Sequence, residues 1–205
     1  MFIDDDYDND RQDAIQGVLN NAMGCAAKTL ASVIDSDVEF TEPSVHWVNK
    51  NNLDNTLANI QLPTQSIAMR QSFRGHLRGE ILILLEHGAN HYQLGNVMGY
   101  SDKMSPRNIQ ELTLELTNIL SGACISGLCE QLNVKLHFGS PSIISQKTSV
   151  NNIFSKRQLQ WTDALFMDVS YTVNSISLKT NLILCMVEED SQTLYQFIDR
   201  KIDAQ

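Results

Sequence analysis

Residues 111–143 read ELTLELTNILSGACISGLCEQLNVKLHFGSPSI. Leucine and isoleucine recur at helical spacing through Leu128, and the text then changes to the alternation of a strand. The same plan occurs earlier, at an offset of 98, in residues 13–45: DAIQGVLNNAMGCAAKTLASVIDSDVEFTEPSV. With no gap, Asn20 answers Asn118, Gly24 answers Gly122 and Leu30 answers Leu128; Phe40, Pro43 and Ser44 answer Phe138, Pro141 and Ser142. Identity between the copies is low. The register nevertheless holds across a helix and the strand that follows it, which marks an internal repeat.

The rest of the chain follows the same plan more loosely. Each strand, VEFTEPSVHWV or VKLHFGSPSII, carries a proline near its middle, which predicts a bulge or a sheet edge. Polar connections follow at 49–64 and 145–160, each rich in Asn, Gln and Ser. Hairpins come next, the second turning at Asn174-Ser175 and the first near Gly75 and Gly79. A short helix closes each half, near 90–98 and near 191–202, with Ser191 as its expected N-cap. Ser105-Pro106 suits the entry to the second long helix. The expected fold is α+β with pseudo-twofold symmetry. Six mostly antiparallel strands form the sheet, and two long helices cover one face. An acidic N-terminal tail spans 1–12, and one domain spans 13–205, made of repeats at about 13–104 and 105–205.

Composition narrows the function classes. The chain has 205 residues, 42% of them hydrophobic, which is globular rather than disordered. Its formal net charge of −9 argues against a nucleic-acid surface, which needs a basic patch to displace counterions. No run of about 18 consecutive apolar residues occurs, so no membrane span is expected. MFIDDDYDND is acidic where a signal peptide is basic and then apolar. Cys25, Cys124, Cys129 and Cys185 form no C-x-x-C pair and read as reduced thiols of a cytoplasmic protein. His87 and His91 have i, i+4 spacing, but a glycine lies between them and no third ligand is near, so no metal is expected.

Along the second helix, Glu111, Glu115 and Asn118 stand at i, i+4 and i+7 and share one stripe. At about 100° per residue, Leu112, Leu116, Ile119 and Ala123 centre roughly 110° away and form the expected buried face. The stripe therefore lies at the edge of the packing or in solvent. Gly122 leaves the surface beyond Asn118 open to a partner's backbone. Taken singly, each polar residue is an ordinary surface residue. Asn is a mediocre helix former, however, and its recurrence at the same mid-helix place in both copies suggests a use.

The spacing acidic-x3-Glu-x2-Asn-x22-Pro, carried by Glu111, Glu115, Asn118 and Pro141, resembles the CheC, CheX and FliY phosphatases of bacterial chemotaxis. Their motif has Asp or Ser in the first place, where this chain has Glu. The first copy supplies Asp13, Asn20 and Pro43 at the same spacings, but Gly17 stands where the family has Glu. The resemblance implies hydrolysis of the aspartyl phosphate on a CheY-like response regulator. Asn118 would orient the attacking water, and Glu115 would pair with the receiver's lysine. It implies no cofactor of the chain's own, with Mg²⁺ expected on the receiver. Loss of the carboxylate at Gly17 makes the first site degenerate, unless Asp13 or another acid substitutes for it. It admits a CheD-like deamidase as a second partner and a homodimer in some members. The alternative is a binding module of the same fold, recognising a receiver, a CheD-like deamidase or the flagellar switch without useful hydrolysis. No P-loop, G-x-G-x-x-G after a strand, G-x-S-x-G or metal-ligand cluster supports another chemistry.

Overall fold

The first long run of helical periodicity folds as α1 (Asp5–Ile34), which begins well before residue 13. In the computed structural model, residues 5–58, 65–86, 90–100, 104–155, 161–174 and 176–203 are described. His87 and Ser175 lie outside them, as does the side chain of His91. Residues 5–12, expected as a tail, extend the helix. Acidic side chains at a helix N-terminus favour its dipole. Arg11 also anchors this turn, donating to both carboxylate oxygens of Asp199 at 2.6 and 2.7 Å.

Each proline-containing strand divides in two. β1 (Val38–Phe40) and β2 (Ser44–Asn49) flank Pro43; β5 (Leu136–Phe138) and β6 (Ser142–Thr148) flank Pro141. Proline lacks the N–H that a ladder needs, so the break falls on an edge, where it costs least. The hairpins are β3 (Ser66–Gly75) with β4 (Gly79–Glu86), and β7 (Asp163–Val173) with β8 (Ile176–Met186). All eight segments join one antiparallel sheet of six lanes. The lane order is β1/β2, β7, β8, β4, β3, β5/β6. That order reads the same when the halves are exchanged. The offset of 98 survives in the register: Phe40 lies opposite Tyr171, and Phe138 opposite Phe73.

The edge strands cross over. The first half's β1 and β2 pair with β7 of the second half, and the second half's β5 and β6 pair with β3 of the first. The long helices α1 and α4 (Pro106–Leu132) lie together on one face of this shared sheet. Val18, Leu19, Met23 and Leu30 of α1 and Leu112, Leu116 and Leu120 of α4 are buried there. They meet Met69, Ile83, Met167 and Leu182 from the strands. Gly127 sets the crossing, since a Cβ there would stand 2.5 Å from the Ala22 Cα. By length and composition α4 could cross a bilayer (mean hydropathy 1.3), but 61% of that window is buried within the fold.

The opposite face of the sheet is covered too. α2 (Leu53–Ala58) and α5 (Val150–Ser155) lie in the connections that read as polar linkers. Leu57, Ile153, Phe154 and Trp161 cover Ala68, Leu82, Leu84, Phe166 and Ile183 on that face. Burial on both sides explains why ILILL of β4 and LILCM of β8 are apolar without alternation. The short helices are α3 (Asn90–Val97) and α6 (Glu188–Ile202). α6 starts three residues earlier than expected, with Val187 at the N-cap and no side-chain cap. Ser191 is buried in the first turn, and its hydroxyl donates to Asp163 Oδ2 at 2.8 Å. The three acidic residues Glu188, Glu189 and Asp190 support that start through the dipole.

Gly127→Ala will wedge α1 from α4 and destabilise the fold by about 1–3 kcal/mol. The check is the urea unfolding midpoint at unchanged slope.

Candidate functional site on the second long helix

α4 begins at a capping box. Ser105 accepts from the Asn108 backbone N–H at 3.2 Å, Asn108 Oδ1 accepts from the Ser105 N–H at 3.0 Å, and Pro106 occupies the first turn. The helix ends at Asn133 in the left-handed conformation (φ 52°), donating its N–H to the Cys129 carbonyl. Both ends are therefore fixed. The inward side buries Leu112, Leu116, Leu120 and Cys124, as the periodicity requires. Ile119, expected among them, is only half-buried.

Thr113, Thr117 and Ser121 are also buried, which the apolar pattern did not show. Each satisfies its hydroxyl within reach of the carbonyl four residues back, at 2.5–2.7 Å. Ser121 also donates to the Gln71 side-chain oxygen on β3, and Gln71 Nε2 donates to the Gly139 carbonyl at 2.8 Å. A buried polar bridge thus ties α4 through the sheet to the corner that carries Pro141. Pro141 itself is half-buried.

The opposite side of α4 presents Glu111, Glu115 and Asn118, all exposed. Glu111 is engaged by Arg107 one turn earlier, at 2.9 Å. Glu115 Oε2 accepts from the Tyr100 hydroxyl at 3.2 Å and has no cationic partner among the described residues. Asn118 has no hydrogen-bond partner among them, so its amide is available as donor and acceptor. One turn on, nothing stands within 4 Å of a Cβ built on Gly122, and Phe138, the counterpart of Phe40, is 39% exposed. A cavity of about 160 Å³ between α4 and β6, lined by Ile109, Gln110, Thr113 and Ile143, opens on the other flank of the helix and is separate from the stripe.

Partial burial raises the Tyr100 phenol above its ordinary value, and the charge and hydrogen bond of Glu115 and the charge of Glu111 raise it further. It is therefore a neutral donor at physiological pH. Its contact with Glu115 is complete below the unfolded phenol value of about 10. It is lost only as pH rises through the folded value. Nothing in the sequence spacing joins Tyr100 to the stripe. The available signal was Gly99, a helix-ending glycine that fixes where the next side chain goes.

The first copy is arranged differently. Asp13 is exposed and Asn20 half-buried, while Gly17 offers only open backbone between them. Pro43 is buried, and its carbonyl accepts from Gln16 Nε2 of α1. Gln12 Nε2 donates to the Val45 carbonyl at 3.0 Å. The corresponding positions in the second copy are Leu114 and Gln110, and neither makes these bonds. Phe40 lies 3.5 Å from a Cβ built on Gly24 and packs on Tyr171, with ring centroids 6.4 Å apart. The first surface is tied down and filled; the second is open.

Among the described residues no cluster of three or more His, Cys, Asp or Glu could hold a metal. The four cysteines are unpaired, with Cys124 and Cys185 buried.

No protein-family profile matches the chain, and no curated protein sequence matches it. Solved structures do. FliY of Thermotoga maritima superposes with a TM-score of 0.67 at 16% identity, over 98% of this chain and all of that one. CheX of Desulfovibrio desulfuricans gives 0.55 at 15%, over 82% of this chain and 99% of that one. The CheX–CheY–BeF3–Mg²⁺ complex of Borrelia burgdorferi gives 0.50 at 12%, over 82% of this chain and 96% of that one. The fold is of the CheC/CheX/FliY type.

Gly122→Ala will stabilise the isolated protein by about 1 kcal/mol, because an open helical position gains from losing glycine's entropy. Chemical denaturation measures this directly.

Proposed function

We propose that the chain is a phosphatase acting on the aspartyl phosphate of a CheY-like receiver, with the second repeat as its active surface. The observation that carries this reading is an unengaged amide, Asn118, one turn from a carboxylate with no cationic partner among the described residues, both exposed on a helix fixed at its two ends. The first repeat lacks the carboxylate and has its proline corner bonded to the helix. A fold shared with a CheX that is seen complexed with CheY is consistent with a receiver as partner.

Phosphoryl transfer asks for position and charge balance more than for covalent chemistry. A docked receiver presents its acyl phosphate to the stripe and brings its own Mg²⁺, which neutralises charge on the phosphoryl oxygens. Asn118 binds a water by donating through Nδ2 or accepting at Oδ1, and holds it in line with the scissile bond. The water oxygen forms the new bond to phosphorus as the bond to the aspartyl oxygen breaks. The products are inorganic phosphate and the free receiver carboxylate, and the water's proton leaves with the phosphate or to solvent. Glu115 meets the ammonium of the receiver's lysine and fixes the helix against the pocket. Such a reaction places the protein with its receiver in the cytoplasm.

The test is phosphate release from a CheY-like receiver charged with acetyl phosphate. Asn118→Ala is expected to lower kcat by about 10²-fold, the loss that misplacing a reactant produces. Glu115→Ala is expected to raise KM about tenfold, one charge-assisted hydrogen bond. Asn20→Ala should change turnover less than about twofold, since without Glu its water is unheld. Equal losses from Asn20→Ala and Asn118→Ala would defeat the one-surface assignment. Wild-type binding without faster decay would establish the binding-module reading instead.

A further inference from the structure

We infer that Tyr100 is a positioning residue for Glu115, holding its carboxylate ready for the partner's cation; this rests on the phosphatase reading above. The phenol donates to Glu115 Oε2 at 3.2 Å from an element outside the motif helix. One hydrogen bond to Oε2 leaves Oε1 and its lone pairs for an incoming ammonium. A free glutamate must surrender rotamer freedom when it engages a partner. A side chain already oriented has met part of that cost in advance.

Tyr100 is itself held. α3 ends in a Schellman motif: the Tyr100 N–H donates to the Gly95 carbonyl at 2.8 Å and the Gly99 N–H to the Asn96 carbonyl at 3.1 Å. Gly99 takes φ +84°, which a side chain would strain. Gly95 packs α3 against the start of α4, where a Cβ would meet Met104 and approach Leu112 Cδ2 at 3.6 Å. The backbone that carries the phenol is thus braced on the helix that carries Glu115. At the corresponding corner of the first repeat, α6 meets α1 through Arg11 and Asp199, and Gly17 offers nothing to orient.

Among the described residues, the titratable groups that act on this phenol are Glu111 and Glu115 on α4. Arg107 engages Glu111 rather than Glu115. The phenol is therefore the polar group that sets the Glu115 rotamer among the described residues.

The experiment measures receiver dephosphorylation by wild type, Tyr100→Phe, Glu115→Gln and the double variant. Tyr100→Phe is expected to raise KM about three- to tenfold, the span of one ordinary hydrogen bond, with kcat within about twofold and the urea midpoint unchanged. In the Glu115→Gln background the same change should have no further effect. Tyrosine NMR titration, with Tyr100→Phe to assign the resonance, should show the Tyr100 phenol titrating lower in Glu115→Gln than in wild type. An active wild type matched by Tyr100→Phe overturns this inference alone. So does a KM loss that persists undiminished beside Glu115→Gln, or a phenol titration unmoved by it. A wild type that leaves the receiver's decay unchanged overturns the phosphatase reading and this inference with it.

Discussion

The exchange of edge strands is the constraint on which the rest of the molecule depends. β1 and β2 complete the second hairpin, and β5 and β6 complete the first. An unpaired hairpin edge is a row of unsatisfied N–H and C=O groups. Here each half satisfies the other's. A hundred-residue half taken alone would lose its outer strands and half its helical cover. The pairing also fixes where the two long helices sit, because each leads directly into an edge strand that belongs to the other half's hairpin.

With the helices placed, the direction of the site follows. α1 and α4 approach until Gly127 meets Ala22, and both bury their apolar sides on the shared face of the sheet. The stripe of Glu111, Glu115 and Asn118 must then point away from the sheet. Capping at both ends and the Ser121–Gln71–Gly139 bridge below keep the helix and the Pro141 corner in one frame. The role proposed for Asn118 would gain from such a platform, since small displacements cost large factors in rate.

The two copies share a backbone plan and differ in what their surfaces can do. In the first, glutamines on α1 tie down the proline corner, Phe40 covers Gly24, and the middle acid is gone. In the second, the corner is held from beneath, Gly122 is uncovered, and Tyr100 reaches the remaining acid. The sheet register is indifferent to these changes, because they lie on the outward sides of the helices. One half thus presents a closed surface while the other stays accessible.

Much of this was legible in the residues. Helical and strand periods located both long helices, both hairpins and the proline breaks, because burial of one face imposes a period that survives low identity. The stripe was legible for the same reason: three polar residues at i, i+4 and i+7 can only share a side. Short α2 and α5 escaped notice, since six residues are too few to show a period, and polar text hid that they cap the second face. Thr113, Thr117 and Ser121 were hidden because back-bonding to the helix lets a hydroxyl be buried cheaply. What only the tertiary structure decided was partnership across the chain: which hairpin each edge strand joins, and that Tyr100 stands beside Glu115. Periodicity records the face a residue turns, whereas the identity of the neighbour on that face is set by long-range packing.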